Sequence, residues 1–243
     1  MRTHHDAISK ILFLDIETVS CVGSYDLLST AYQQLWDKKA TSLGKSETQS
    51  IQDFFLERAA IYAEFGKIIV IGCGYISFEQ ASEIPTLRIT TFSGDDEKTV
   101  LTQFKDLLEK IVQQDKWRLC AHNGKEFDFP YLCRRMLVNG ISLPPILDLT
   151  NKKPWEVPHL DTMEMWKFGD RKSFTSLDLL ANLFNIPSSK GMMDGSQVTH
   201  YYYTQNALPA IAQYCMQDVV VAAQIFLKLN NCSTIPETNI IFA

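Results

Sequence analysis

The stretch ILFLDIETVS, running from Ile11 to Ser20, decides how the rest of the chain is read. Ile11 to Leu14 would be apolar on both faces of an extended chain, the pattern of a central strand with a layer on either side. That strand then runs straight into Asp15 and Glu17. Residues i and i+2 of a strand point to the same side, so both carboxylates project together from its carboxyl end, where open α/β sheets build their sites. Two adjacent anions there need a cation; the alternative is a strand-end pair facing solvent.

Outward from this strand, KIIVIGCGYIS (67–77) and TLRITTFS (86–93) read as two more strands, joined by a connection short enough for antiparallel neighbours. Between the first two strands, Leu27, Leu28, Tyr32 and Leu35 recur at helical spacing. Ser50 can cap a second helix carrying Ile51, Phe54, Phe55 and Ile61. Asp95, Asp96 and Glu97 open a helix whose apolar face is Val100, Leu101, Phe104, Leu107, Leu108 and Ile111. A short strand follows at 117–121. Pro130 suits the first turn of the next helix, which ends near Asn139-Gly140. Four prolines between 142 and 158 exclude regular helix or central strand, leaving a loop into the short segment HLDTM. Thr175 with Asp178 makes a capping box for a helix through Phe184, and a last helix spans Pro209 to about Lys228. The expected fold is α/β, a mixed five-stranded sheet with three antiparallel strands followed by parallel ones and helices on both faces. Residues 1–243 are expected to form one domain with a helical insertion at about 25–64.

Composition narrows the function classes. No stretch approaches the roughly 20 apolar residues of a membrane helix, and MRTHHDAISK lacks the apolar core of a secretory signal, so a cytoplasmic location and no membrane are expected. Six scattered cysteines without a CxxC pair speak against a disulfide framework or a zinc site. A net charge of −5 opposes broad non-specific nucleic-acid binding. Two divalent cations held by four acids would raise it to about −1.

Two further segments supply acids. In AHNGKEFDFPYL, Asn123 and Gly124 mark a turn after a strand, and Asp128 stands just before a helix, able to aim an oxygen into the same crevice. In YCMQDV, Tyr214 and Asp218 are i and i+4 on the last helix, one above the other. Four converging carboxylates suit Mg²⁺ or Mn²⁺, hard cations that take oxygen ligands and keep waters for substrate. Two such ions about 3.5–4 Å apart can stabilise the attacking and leaving oxygens of a phosphoryl displacement.

FLDIET, NGKEFDFPYL and YCMQDV resemble the three motifs of the DEDD 3′–5′ exonucleases, in the branch similar to the proofreading domain of family B DNA polymerases. LDTMEMWKFGDRKSFTSLDLLA and KGMMDGSQV resemble a set of stand-alone bacterial exonucleases of that branch, so the likeness covers nearly the whole chain. The resemblance implies a ribonuclease H-like fold, two divalent ions, and stepwise release of nucleoside monophosphates from single-stranded 3′ ends, DNA in preference to RNA. A polymerase or repair partner is compatible with it. It further implies that Asp15, Glu17 and Asp218 hold the catalytic ion and that Asp15 bridges to a second ion held by Asp128. Tyr214 would orient the attacking water. The histidine branch places its helper five residues before the last Asp, a position occupied here by Gln213, so the chain falls in the tyrosine branch. Thr18 and Val19 correspond to positions whose backbone meets the terminal nucleotide, and Asn123 and Phe127 to positions that hold sugar or base. The insertion at 25–64 departs from the smaller exonucleases, where the strands on either side are joined closely.

Other residues have plainer readings. Asp161 is expected to be a helix cap or strand-end acceptor rather than a fifth ligand, and His122 to be structural. Lys190 is expected to be a solvated loop lysine rather than a phosphate contact, and the four tryptophans to be core or loop anchors. An oligoribonuclease-like hydrolase of short RNA and a catalytically idle nucleic-acid-binding module are the competing functions.

Overall fold

A computed structural model describes residues 7–78, 85–112, 116–170, 174–188 and 193–243. Its centre is β1 (Ile11–Ser20), paired antiparallel with β2 (Gly66–Ser77), which pairs antiparallel with β3 (Thr86–Ser93). On the other edge of β1 lie β4 (Arg118–Ala121) and β5 (Leu160–Asp161), both parallel. A sixth strand, β6 (Ile240–Phe242), runs parallel to β3 and completes the order β5-β4-β1-β2-β3-β6. Six strands therefore stand where the sequence suggests five. Three residues at a sheet edge are too few to display alternation, and only the pairing of Leu87 with Ile240 through Ile89 with Phe242 identifies them.

The helices are α1 (Thr30–Ser42), α2 (Ile51–Arg58), α3 (Glu97–Val112), α4 (Asp128–Val138), α5 (Thr162–Lys167), α6 (Leu177–Leu183), α7 (Val198–Gln205) and α8 (Leu208–Leu229). Even positions of β1, Leu12, Leu14 and Ile16, pack against Val100, Leu101 and Phe104 of α3 and Phe129 and Leu132 of α4. Odd positions Ile11 and Phe13 meet Val219, Ala223 and Phe226 of α8 on the opposite face, with the Phe13 and Phe226 rings 5.4 Å apart. The apolar run at the start of β1 is thus covered on both sides, as its composition requires. By length and apolarity α8 could cross a membrane, contrary to the sequence expectation, but most of it is buried against the sheet as a core helix.

The segment between β1 and β2 differs in detail from its sequence reading. Tyr25–Leu27 form a 3-10 turn and Ser29 caps α1, whose buried side chains are Trp36 and Ala40. Leu27, Tyr32 and Leu35 are exposed. Ser50 caps α2 as its position suggests, its hydroxyl accepting from the Asp53 amide. Trp36 is packed among Phe54, Phe55 and Phe65, an aromatic cluster that gives the insertion a small core of its own. The insertion is pinned to the sheet layers at two carbonyls: Ala60 O accepts from the hydroxyls of Thr18 and Tyr131, both at 2.9 Å, and Ala63 O from Arg135 at 2.8 Å. Further along, α6 is capped by Ser176 rather than Thr175, and the carbonyl of Thr175 instead bonds His122.

One buried ion pair ties three elements together. Glu97, at the start of α3, accepts from the Ile68 amide of β2 at 2.7 Å, from Arg135 of α4 at 2.9 and 2.6 Å, and from Asn139 at 2.8 Å. Four donors on one carboxylate meet the condition under which a buried charge is tolerated.

Candidate active site

The site forms where β1 passes under α8. Asp15 pairs with Gly72 of β2. A side chain at 72 would lie 3.0 Å from Cys215 Sγ and 3.1 Å from Val219 Cγ2, so glycine is what lets α8 approach the strand. At that approach the Cys215 thiol donates to Asp15 Oδ2 at 3.3 Å and lies equally close to the Asp15 carbonyl. One ligand atom from each of Asp15, Glu17 and Cys215 falls within 4.8 Å of the others. Tyr214 and Asp218 lie one turn apart on α8, 8% and 7% exposed, with the Asp218 carboxyl near enough to act on the Tyr214 phenol.

Asp128 arrives from the other side of β1. Because β4 pairs with β1 only from Ile11 to Phe13, the edge of β1 beyond is open, and the Ile16 amide donates to Asp128 Oδ1 at 3.2 Å. Asp128 is the first residue of α4, with Pro130 in the same turn where its missing N–H costs nothing. The four acids thus converge from β1, α4 and α8, with Glu17, Asp128 and Asp218 buried and Asp15 partly exposed at the mouth.

Electrostatics follow from this crowding. Burial, then Glu17, Asp218 and Asp128, hold the Asp15 carboxyl well above the usual range. Burial, then Asp218 and Asp128, do the same to Glu17. Asp128 is pushed up to about 7, mainly by burial, against the pull of its own amide and that of Ile16. Burial and the neighbouring Asp218 and Glu17 raise the Tyr214 phenol far enough to keep it neutral. Burial and Asp15 likewise raise the Cys215 thiol, so it remains a proton donor. No Lys or Arg is among the groups that set Asp15 and Glu17, and a set of hard carboxylate oxygens of this kind fits a divalent cation.

The residues expected to meet substrate are placed differently. The Thr18 hydroxyl is engaged by Ala60, and the Val19 side chain is buried among Tyr214, Cys215 and Ile211, so only their backbone is left to meet a ligand. A register shift between Glu17 and Thr18 breaks the ladder with β2 there. Asn123 sits at φ +62° in the turn after β4; its amide N–H donates to Asp161 and its side-chain oxygen is buried without a partner among the described residues. Phe127 is half-buried with its ring 5.3 Å from that of Tyr131.

Asp161 is a strut. It caps α5 through the amides of Met163 and Glu164 and holds the turn after β4 through those of Asn123 and Lys125. His122 bridges Thr162 and the Thr175 carbonyl, and burial lowers its pKa. Lys190 lies outside the described residues. Sequence reasoning missed Cys215 and Gly72: the first carried a signal in its place between Tyr214 and Asp218, the second none.

A sheet with a central antiparallel pair, parallel strands beside it, and acids at the middle of its first strand, which continues past them to Ser20, defines the ribonuclease H-like class of α/β folds. Within that class, the chain belongs to the family described as predicted 3′–5′ exonuclease related to the exonuclease domain of PolB, which residues 61–237 match. Asp128, Tyr214 and Asp218 lie inside the matched stretch, and Asp15 and Glu17 precede it. The chain is 25% identical to DNA polymerase 1 of Pyrococcus abyssi over 175 residues, 67% of this chain and 22% of that protein. It is 25% identical to the DNA polymerase of Pyrococcus horikoshii over 183 residues, 67% of this chain and 14% of that one. The chain therefore spans about a fifth or less of the length of these relatives. In fold it resembles the family B DNA polymerase of Pyrobaculum calidifontis, with a TM-score of 0.52 at 14% identity over 90% of this chain and 24% of that one.

Proposed function

We propose that the chain is a divalent-metal-dependent 3′–5′ exonuclease, a single domain with a helical insertion, that hydrolyses single-stranded nucleic acid to nucleoside monophosphates. The observation that carries this reading is the meeting of Asp15, Glu17, Asp128 and Asp218 in one crevice where neighbouring carboxyls raise one another's pKa. DNA is favoured over RNA because the relatives are named as DNA polymerases.

Asp15, Glu17 and Asp218 would hold one Mg²⁺ or Mn²⁺, and Asp128, with Asp15 shared, a second. Such ions, when bound, neutralise charge that develops on the attacking and leaving oxygens of a phosphodiester. The remaining work falls to the chain. Tyr214, neutral and beside Asp218, would hold a water in line with the scissile bond. The Cys215 thiol fixes the rotamer of Asp15. The backbone of Thr18 and Val19, where the ladder is broken, together with Asn123 and Phe127, would grip the terminal nucleotide. Water adds to phosphorus, the bond to the 3′ oxygen of the preceding nucleotide breaks, and that oxygen takes a proton.

The test is release of labelled mononucleotide from a 3′-labelled oligomer with Mn²⁺, on DNA and RNA in parallel, with Asp15→Asn as control. Equal activity in the variant would remove the assignment. Faster hydrolysis of short RNA would favour the oligoribonuclease-like reading, and binding without hydrolysis the idle module.

A further inference from the structure

A cavity of about 400 Å³ lies beside the acid crevice and is distinct from it. Its walls are the outer face of α4, the loop 142–158 and the start of α5, and it begins at Asn123 and Asp161. Asp161 is close enough to Asp128 to influence its carboxyl, so the cavity and the crevice are neighbours along the carboxyl edge of β1, β4 and β5.

Its floor is apolar, with Leu143, Leu149, Val157 and Met163. Its rim is charged, and the charges do not cancel. Lys125 is paired with Glu164, and both oxygens of Asp161 are taken by backbone amides. Arg134, Lys152 and Lys167, without an ion pair among the described residues, stand against Glu126 and the amide-bound carboxylate of Asp161, so the lining cations outnumber the lining anions by one. In a chain of net charge −5 this is a local excess of positive charge. Beside it a single 3-10 turn, Pro154–Glu156, holds Trp155 76% exposed, with Lys153 Nζ 5.4 Å from its ring centroid. The loop itself is anchored from below: His159 accepts from the Leu119 amide at 3.3 Å and bonds the Ile146 carbonyl at 2.9 Å, so the exposed ring rides on a fixed base.

We infer that this cavity and Trp155 form a second nucleotide-binding subsite, which holds an internal nucleotide of the substrate strand on the 5′ side of the bond being cut. The inference rests on the exonuclease reading of the neighbouring crevice. An apolar floor accepts a base, the rim cations meet its phosphates, and an exposed indole stacks the next base without regard to sequence.

The test uses the full chain. Binding of a roughly 12-nucleotide, 5′-labelled oligothymidylate is followed by fluorescence anisotropy in chelator, where no hydrolysis occurs. Two variants are compared, Trp155→Ala and the triple Arg134→Ala/Lys152→Ala/Lys167→Ala, at exposed positions except for the half-buried Lys167, and each is checked by thermal unfolding. The dissociation constant should rise at least about fivefold in Trp155→Ala. In the triple variant the dependence of log K on log salt should become less steep by about 2. With Mn²⁺, both variants should hydrolyse the p-nitrophenyl ester of thymidine 5′-monophosphate at the wild-type rate, since it carries no nucleotide on the 5′ side of the scissile bond. Unchanged affinity and salt dependence would overturn the subsite and leave the active-site reading standing. Variant-sensitive binding without hydrolysis by the wild type would overturn the active-site reading alone. Equal sensitivity of free thymidine monophosphate binding to the same changes would make this a mononucleotide pocket and refute its assignment to the strand.

Discussion

Replacing Asp128 with asparagine should stabilise the metal-free protein while abolishing catalysis. Burial pushes this carboxyl from 3.8 up to about 7, so near neutrality the folded chain carries a charge that the unfolded chain carries without penalty. Roughly 3 pH units at about 1.4 kcal/mol each amount to a penalty on the order of 4 kcal/mol. An asparagine oxygen can still accept from the Ile16 amide at 3.2 Å, so the exchange removes the charge and keeps the hydrogen bond. The folded pKa is the raised one, which fixes the sign. Below about pH 4 both states are protonated and the penalty is absent. Between about pH 4 and pH 7 the unfolded carboxyl releases its proton first, so wild-type stability falls, and above that window the loss is constant. Thermal unfolding in chelator should therefore give similar Tm values for the two proteins at about pH 4. Near pH 8 the variant should melt higher by up to about 8–16 °C, taking about 2–4 °C per kcal/mol for a chain of this size. A variant no more stable at the higher pH, or one whose advantage is the same at both, would refute the reasoning.

Divalent metal should do for the wild type what the substitution does without it: Mn²⁺ at about 100 times its dissociation constant adds about 2.7 kcal/mol, read as a rise in Tm that chelator reverses and Asp128→Asn diminishes. Tyr214→Phe should lower kcat by about 10- to 100-fold with little change in Tm, because only the group placing the water is lost. Gly72→Ala should cost about 1–3 kcal/mol by forcing α8 away from β1, and the accompanying fall in activity, measured at a temperature where the variant is folded, reports that Asp218 has moved from Asp15. Glu97→Ala should cost about 3–5 kcal/mol in denaturant unfolding, since it strands Arg135 in a largely buried position.

The parts of the site legible in the sequence are those fixed by local geometry. Asp15 and Glu17 share a face because a strand repeats every second residue, and Tyr214 and Asp218 because a helix stacks i on i+4. Asp128 was marked by Pro130, which announces the first turn of α4. What stayed hidden depends on contacts between distant segments. Gly72 shows its purpose only when α8 lies on it, and the hydroxyl of Thr18 is consumed by Ala60 of an insertion whose docking no pattern predicts. The helix VTHYYYTQ escaped because its aromatic run makes no clean apolar stripe, although Tyr203 reaches the Ser20 carbonyl at 2.6 Å. The cavity beside the crevice was likewise invisible, since Lys125, Arg134, Lys152 and Lys167 come together only through the packing of α4, α5 and the loop between them.

Anomalous diffraction from crystals soaked in Mn²⁺ and a nucleoside monophosphate tests the central claim most directly. The account predicts manganese peaks bounded by Asp15, Glu17, Asp128 and Asp218, with the nucleotide phosphate against them. Manganese elsewhere on the protein, with these four carboxylates left bare, would contradict it.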